Sequence, residues 1–127
     1  MTQKEHWKNE PDDHDYPAAH DYLSLGAPEA VVTALVDALK AAPLSLRKAK
    51  DLLRSSALPA LAETNVHVAK DLAKVHQGDA LSPVLLVRGN MANGAPLVIA
   101  DGYHRICASY HLDEDANIPC RLADYPG

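Results

Sequence analysis

Two cysteines in 127 residues, Cys107 and Cys120, are too few for a disulfide scaffold and lack the spacing of a zinc site, so they read as buried thiols in a reducing compartment. No stretch approaches the length and apolarity of a membrane span. The opening residues, Met-Thr-Gln-Lys-Glu-His-Trp-Lys-Asn-Glu, lack the apolar core of a secretory signal, and a cytoplasmic protein is expected. A basic excess is missing too. The net charge of −5 argues against a general nucleic-acid binder, whose footprint is a basic patch on a basic domain. What is present, 47% hydrophobic and 23% charged residues, suits one globular domain with a modest core.

Residues 1–20 mix charges, histidines and two prolines without apolar periodicity, and read as an arm that is extended or docked onto the body. His6, His14 and His20 lie there with Asp12, Asp13 and Asp15; an aperiodic acidic arm of this kind stays solvated, and no metal site is assigned to it. Residues 21–61 read as a helical extension. Pro28 and Glu29 suit a first helical turn, and Val31, Val32, Leu35, Val36 and Leu39 make an apolar stripe that ends before Pro43. Ser45 reads as the cap of a second helix, with Leu46, Ala49, Leu52 and Leu53 inward and Arg47, Lys48, Lys50 and Arg54 outward as far as Pro59. That basic face is a solvated surface or, in a sharper reading, a contact for outer phosphates.

Residues 62–127 hold the informative part. Asn65 is a good N-cap for a helix from Val66 to about Gln77, with Gly78 as its stop. His67, Lys70 and Lys74 share one polar, cationic face at i, i+3 and i+7, with Asp71 expected to face away from Lys70. Residues 83–87 and 97–100 read as strands of a hairpin turned at Asn93-Gly94, and 118–122 as an edge strand, where Pro119 is tolerated. The loop carrying Asp113, Glu114, Asp115 and Asn117 is read as a solubilising or magnesium-holding surface.

Between the last two strands, Leu97-Val-Ile-Ala-Asp-Gly-Tyr-His-Arg-Ile-Cys-Ala-Ser-Tyr-His111 runs from an apolar strand through Asp101-Gly102 into a helix. The first turn of that helix has unpaired N–H groups and the positive end of the macrodipole, and His104 and Arg105 add donors. The string reads as an anion site built from Gly102, Tyr103, His104 and Arg105.

This arrangement resembles the ParB/sulfiredoxin superfamily, in which a strand ends in a Gly-x-x-Arg or Gly-x-His-Arg turn, opens a helix and is followed by an Ile-Pro strand. The likeness covers about residues 62–122: Val68-Ala-Lys-Asp-Leu-Ala-Lys-Val75, Gly78, Leu81, Ser82-Pro-Val-Leu-Leu-Val87, Ile99-Ala-Asp-Gly-Tyr-His-Arg105 and Asn117-Ile-Pro-Cys-Arg-Leu122. It implies an α/β (α+β) fold, a small mixed sheet flanked by helices, here with an N-terminal helical extension in which no opening strand of the ParB kind is expected. It also implies that His67, Lys70 and Lys74 converge with the Gly102 turn on one nucleotide pocket, with ATP or another nucleotide as ligand and Mg²⁺ as its companion. The closest wording is the Asp-Gly-His-x-Arg turn of ParB-like phosphotransferases.

The departures narrow the reading. Tyr103 stands where sulfiredoxins carry the reactive cysteine, so sulfinic reductase chemistry is not expected, and Cys107 would need exposure and a lowered pKa to substitute. The second, DNA-binding domain of partition proteins is not expected here, nor is chromosome partitioning. Two functions remain open. One is a phosphotransferase or nucleotide hydrolase using Asp101 and His104, with the base unassigned among Asp101, Glu63 and Asp71. The other is a non-catalytic nucleotide-sensing module that meets a protein partner or a second copy of itself. DNA or membrane partners are not expected.

Overall fold

The computed structural model describes residues 5–126. Residues 1–4 of the expected arm, and Gly127, lie outside them. The chain runs β1 (His6–Trp7), α1 (Asp15–Leu23), α2 (Glu29–Ala41), β2 (Leu44–Lys48), α3 (Ala49–Ser56), α4 (Val66–His76), β3 (Ala80–Leu81), β4 (Val84–Val87), a 3₁₀ turn at Met91–Asn93, β5 (Val98–Asp101), α5 (Tyr103–Leu112) and β6 (Asn117–Ala123). This is a mixed α+β fold, and no helix among the described residues is long and apolar enough to cross a membrane.

The main sheet has the order β2-β6-β4-β5; β6 runs parallel to β4 and antiparallel to β2, and β4 and β5 form the antiparallel hairpin. Its floor is continuous hydrophobic β4, Val84-Leu-Leu-Val87, buried at every position, as a strand covered on both faces must be. With no phenylalanine in the chain, both faces are filled by aliphatic side chains. On one face, Val32, Leu35, Val36 and Leu39 of α2, spaced i, i+3, i+4, i+7, join Ala19 and Leu23 of α1 over Leu85, Val87, Ala100 and Ala123. On the other, α3, α4 and α5 close over Val84, Leu86, Ile99, Ile118 and Cys120.

Three expectations are corrected. Residues 44–48 are a strand, not the start of a helix capped by Ser45: Ser45 pairs with Cys120 and Arg47 with Ile118, Leu46 is 64% exposed, and the helix starts only at Ala49 behind Lys48. The pairing partner, about seventy residues away in sequence, overrides a helical spacing that Leu46, Ala49, Leu52 and Leu53 do share. Residues 44–48 of the expected helical extension therefore belong to the main sheet, while α3 keeps the helix. β6 is interior, not an edge; β4 pairs with it only from Cys120 onward, so Pro119 sits where β6 has β2 alone as neighbour.

The arm of residues 1–20 is docked and partly helical. His6-Trp7 pairs in parallel with Ala80-Leu81, Lys8 N–H donates to the Leu81 carbonyl at 2.8 Å, and Ser109 Oγ donates to Glu5. From Asp15 the arm becomes α1, with Asp15, Ala19 and Leu23 buried along one side at i, i+4, i+8. Pro17 is tolerated because it falls in the first turn.

Candidate functional site

The turn after β5 is built by two backbone constraints. The β4–β5 register slips between Leu85 and Leu86, so that Ala100 and Asp101 together stand against Leu85, and such a bulge re-aims a side chain. Here the Asp101 carboxylate ends beside Asp15 of α1. Gly102 then adopts φ +107°, and a Cβ there would lie 2.4 Å from Val84 Cγ1 and 2.9 Å from Arg105 Nη2. Only glycine fits. It is the N-cap of α5 and offers no side-chain bond to the first turn, whose N–H groups keep their donors.

Arg105 turns inward instead of meeting solvent. Its Nη2 donates to Asp101 Oδ2 at 3.0 Å and to the Pro83 carbonyl at 3.4 Å, and lies 3.9 Å from Asp15 Oδ2. With only 16% of its side chain exposed, it is the counter-ion of two buried carboxylates. This differs from the expected surface phosphate ligand: Nη2 bonds Asp101 and lies beside Asp15, while the buried Nε has no hydrogen-bond partner among the described residues. Asp15 also accepts from Asp12 N–H at 3.0 Å, and it is the residue the sequence reading missed, since nothing in an aperiodic acidic arm marks which carboxylate is buried. Burial pushes the Asp101 carboxyl above its ordinary range against the pull of Arg105, and Asp15 adds to the rise.

The outer wall comes from α4. Asn65 Oδ1 accepts from His67 N–H at 3.0 Å and Val68 N–H at 3.2 Å, the expected cap. At the other end Gly78 N–H donates to Val75 and Asp79 N–H to Lys74, a Schellman closure. This fixed helix packs on α5 and sets the His67 ring 4.7 Å from that of His104, with Tyr103 5.7 Å from His104 on the other side. Desolvation lowers the His104 pKa, and His67 and Arg105 lower it further. Lys70 and Lys74 are exposed on the solvent side. Asp71, expected to face away from Lys70, is half-buried while Lys70 is exposed: burial raises its carboxyl, while Arg105, Lys74, His104 and Lys70 pull the other way.

The remaining acid candidates are engaged elsewhere. Glu63 lies 3.7 Å from His111, whose ring also bonds the Leu61 carbonyl. Tyr103 OH donates to the Pro59 carbonyl, leaving Tyr103 as a strut between α5 and the loop before α4. Cys107 is buried with its thiol pushed up, and burial pushes Cys120 up to about 12, so neither supplies a thiolate. Asp12, His14 and Asp15 each bring one ligand atom within 4.8 Å of the others; Lys8 at 2.8 Å from Asp12, and Arg105 beside Asp15, already supply the counter-charge that holds this group together.

What the arrangement offers chemically is backbone N–H donors and two imidazoles next to two carboxyls, Asp71 and Asp101, whose protons are held more tightly than usual. Comparisons with protein-family models, curated proteins and solved structures found no match.

Proposed function

We propose that this chain binds a nucleotide or another small phosphorylated ligand at the N-terminus of α5, as a ParB/sulfiredoxin-like protein. The observation that carries the reading is the first turn behind Gly102, which has no side-chain cap, with His104 in that turn and the His67 ring 4.7 Å from it at a tilt of 44°. Lys70 and Lys74 add a cationic approach. The strand β2 supports the reading as well, because it stands ahead of the core where the resemblance calls for an opening strand.

As a phosphotransferase or hydrolase, the site assigns its parts as follows. Backbone N–H groups, His67 and His104 stabilise charge on the transferring phosphoryl group. Asp71 takes the proton of the attacking hydroxyl or water, a role suited to a carboxyl that burial raises above its ordinary range. Asp101 and Arg105 hold the turn rigid and touch no substrate, which removes Asp101 from the catalytic pair. Mg²⁺, if it arrives with the nucleotide, would offset the phosphate charge.

Calorimetry with ATP, ADP, CTP and GTP, with and without Mg²⁺, tests the reading. Saturable binding that weakens by about tenfold or more in His67→Gln/His104→Gln is expected, a charge-assisted contact being lost. Binding should also tighten as pH falls from 8 to 6, because a bound phosphate raises the depressed His104 pKa and takes up a proton. Absence of binding, or binding indifferent to both histidines, overturns it. Phosphate release that disappears in Asp71→Asn while binding persists separates an enzyme from a sensing module.

A further inference from the structure

At the opposite end of β4 and β5 from the Gly102 turn lies a cleft of about 910 Å³, within the size range of small-molecule sites. Leu52, Leu86, Leu97 and Leu122 line it on the face covered by α3, and Leu97 and Leu122 are only half-buried. One wall is α3. The other is the loop between β4 and β5, which folds back because Gly89 lacks a Cβ that would lie 2.4 Å from the Ala95 carbonyl oxygen. Leu97 N–H donates to the Ser55 carbonyl at 2.9 Å and ties the two walls together, and Met91, 99% exposed, belongs to the lip.

The charge around this cleft is opposite to that of the chain. Arg47, Lys48 and Arg88 line it against the single acid Asp51, in a protein of net charge −5. Asp51 is 3.6 Å from Arg54, Lys48 is 3.7 Å from Asp115, and Arg88 is held by Asp124 at 2.5 Å. Arg47 makes no ion pair among the described residues. Its register opposite Ile118 puts it on the cleft face of β2. A guanidinium free at the rim of an apolar cleft calls for a ligand with a carboxylate head and an apolar body.

We infer that this cleft is a second binding site, for a small amphipathic organic carboxylate, with Arg47 taking the carboxylate and Leu52, Leu86, Leu97 and Leu122 the apolar body. It is independent of the phosphate reading, since no residue is shared with the Gly102 turn. Both ends of the ligand are needed: the leucines alone give no orientation, and a single exposed arginine in water holds a bare carboxylate weakly.

The test is an amide-resolved NMR titration of the full chain with decanoate and 2-naphthoate, with decanol as the chain without charge and acetate as the charge without chain. Saturable shifts centred on Asn90, Leu97 and Leu122 are expected for at least one of the two carboxylates, with decanol and acetate weaker by about tenfold or more. Arg47→Gln should weaken the carboxylate about tenfold and leave decanol unchanged. Ser55→Trp, which fills the cleft from an exposed position on α3, should abolish the response. The inference is overturned if neither carboxylate gives saturable shifts there, if the shifts centre on residues 101–105, or if decanol matches decanoate and Arg47→Gln changes nothing. Should Ser55→Trp fail to fold, the comparison of decanoate with decanol in Arg47→Gln still decides.

Discussion

The two faces of the main sheet are built from the same aliphatic residues and do different work. The face under α1 and α2 is closed by a regular stripe, Val32, Leu35, Val36 and Leu39, and its single irregularity is Asp15 at the edge, answered by Arg105 from the other side of the turn. The face under α3, α4 and α5 has as large a core, yet it is covered by three shorter helices, and their ends and gaps carry the chemistry: the uncapped start of α5, the imidazole pair, half-buried Asp71 and the leucine-lined cleft. Two helices, one of them a long amphipathic stripe, seal a sheet face; three leave more termini and seams at which backbone donors and side chains meet solvent.

The sharpest break in that contrast is the ion-pair bridge between the faces. Arg105→Ala leaves Asp101 and Asp15 buried without a counter-ion and should cost about 3–5 kcal/mol in urea unfolding, with partial recovery in Arg105→Ala/Asp101→Asn. A loss below about 1 kcal/mol would mean that the bridge is solvated like a surface pair. On the sealed face, Leu39→Ala removes a fully buried side chain and should cost about 3 kcal/mol while leaving ligand affinity at both sites unchanged in the folded protein. Altered nucleotide affinity in that variant would show that the faces are coupled.

A smaller effect separates the site from the core by its pH dependence. The Asp71 pKa is raised in the fold, so the folded chain binds that proton more tightly than the unfolded chain does. Stability from this group therefore increases as pH falls through the folded value and levels off below the unfolded one. Asp71→Asn should be the more stable protein at pH 7, by no more than about 1 kcal/mol for a half-exposed group, and should lose that advantage by acid pH. An advantage that persists at acid pH would trace to packing instead. The smallest effect is at the end of α3, where Ala57 takes φ +59°, a conformation costly for any residue with a Cβ. Ala57→Gly should stabilise by about 0.5 kcal/mol, after the entropy that glycine adds to the unfolded chain is set against the strain it relieves.

Local chemistry was legible. The Asn65 cap, the Gly78 stop, the hairpin at Asn93-Gly94 and the Gly102 turn into a helix all follow from residues within a few positions of one another, and each stands in the fold. The candidate site was legible as a place and less so as a set of partners. His67 and His104 do meet, but Arg105 points inward and Asp15 arrives from a segment with no apolar period to announce it.

By itself the sequence determined where the helices α2 and α4 begin and end and where α5 begins, because caps, glycines and a 3.6-residue apolar period act over a single turn or two. Only the tertiary structure decided that Leu44–Lys48 is a strand, that β6 is interior, and that Asp15, Asp101 and Arg105 neutralise one another. Those outcomes depend on pairing and burial between segments tens of residues apart, where the free energy of a ladder or of a shared counter-ion exceeds any local preference for helix or for solvent.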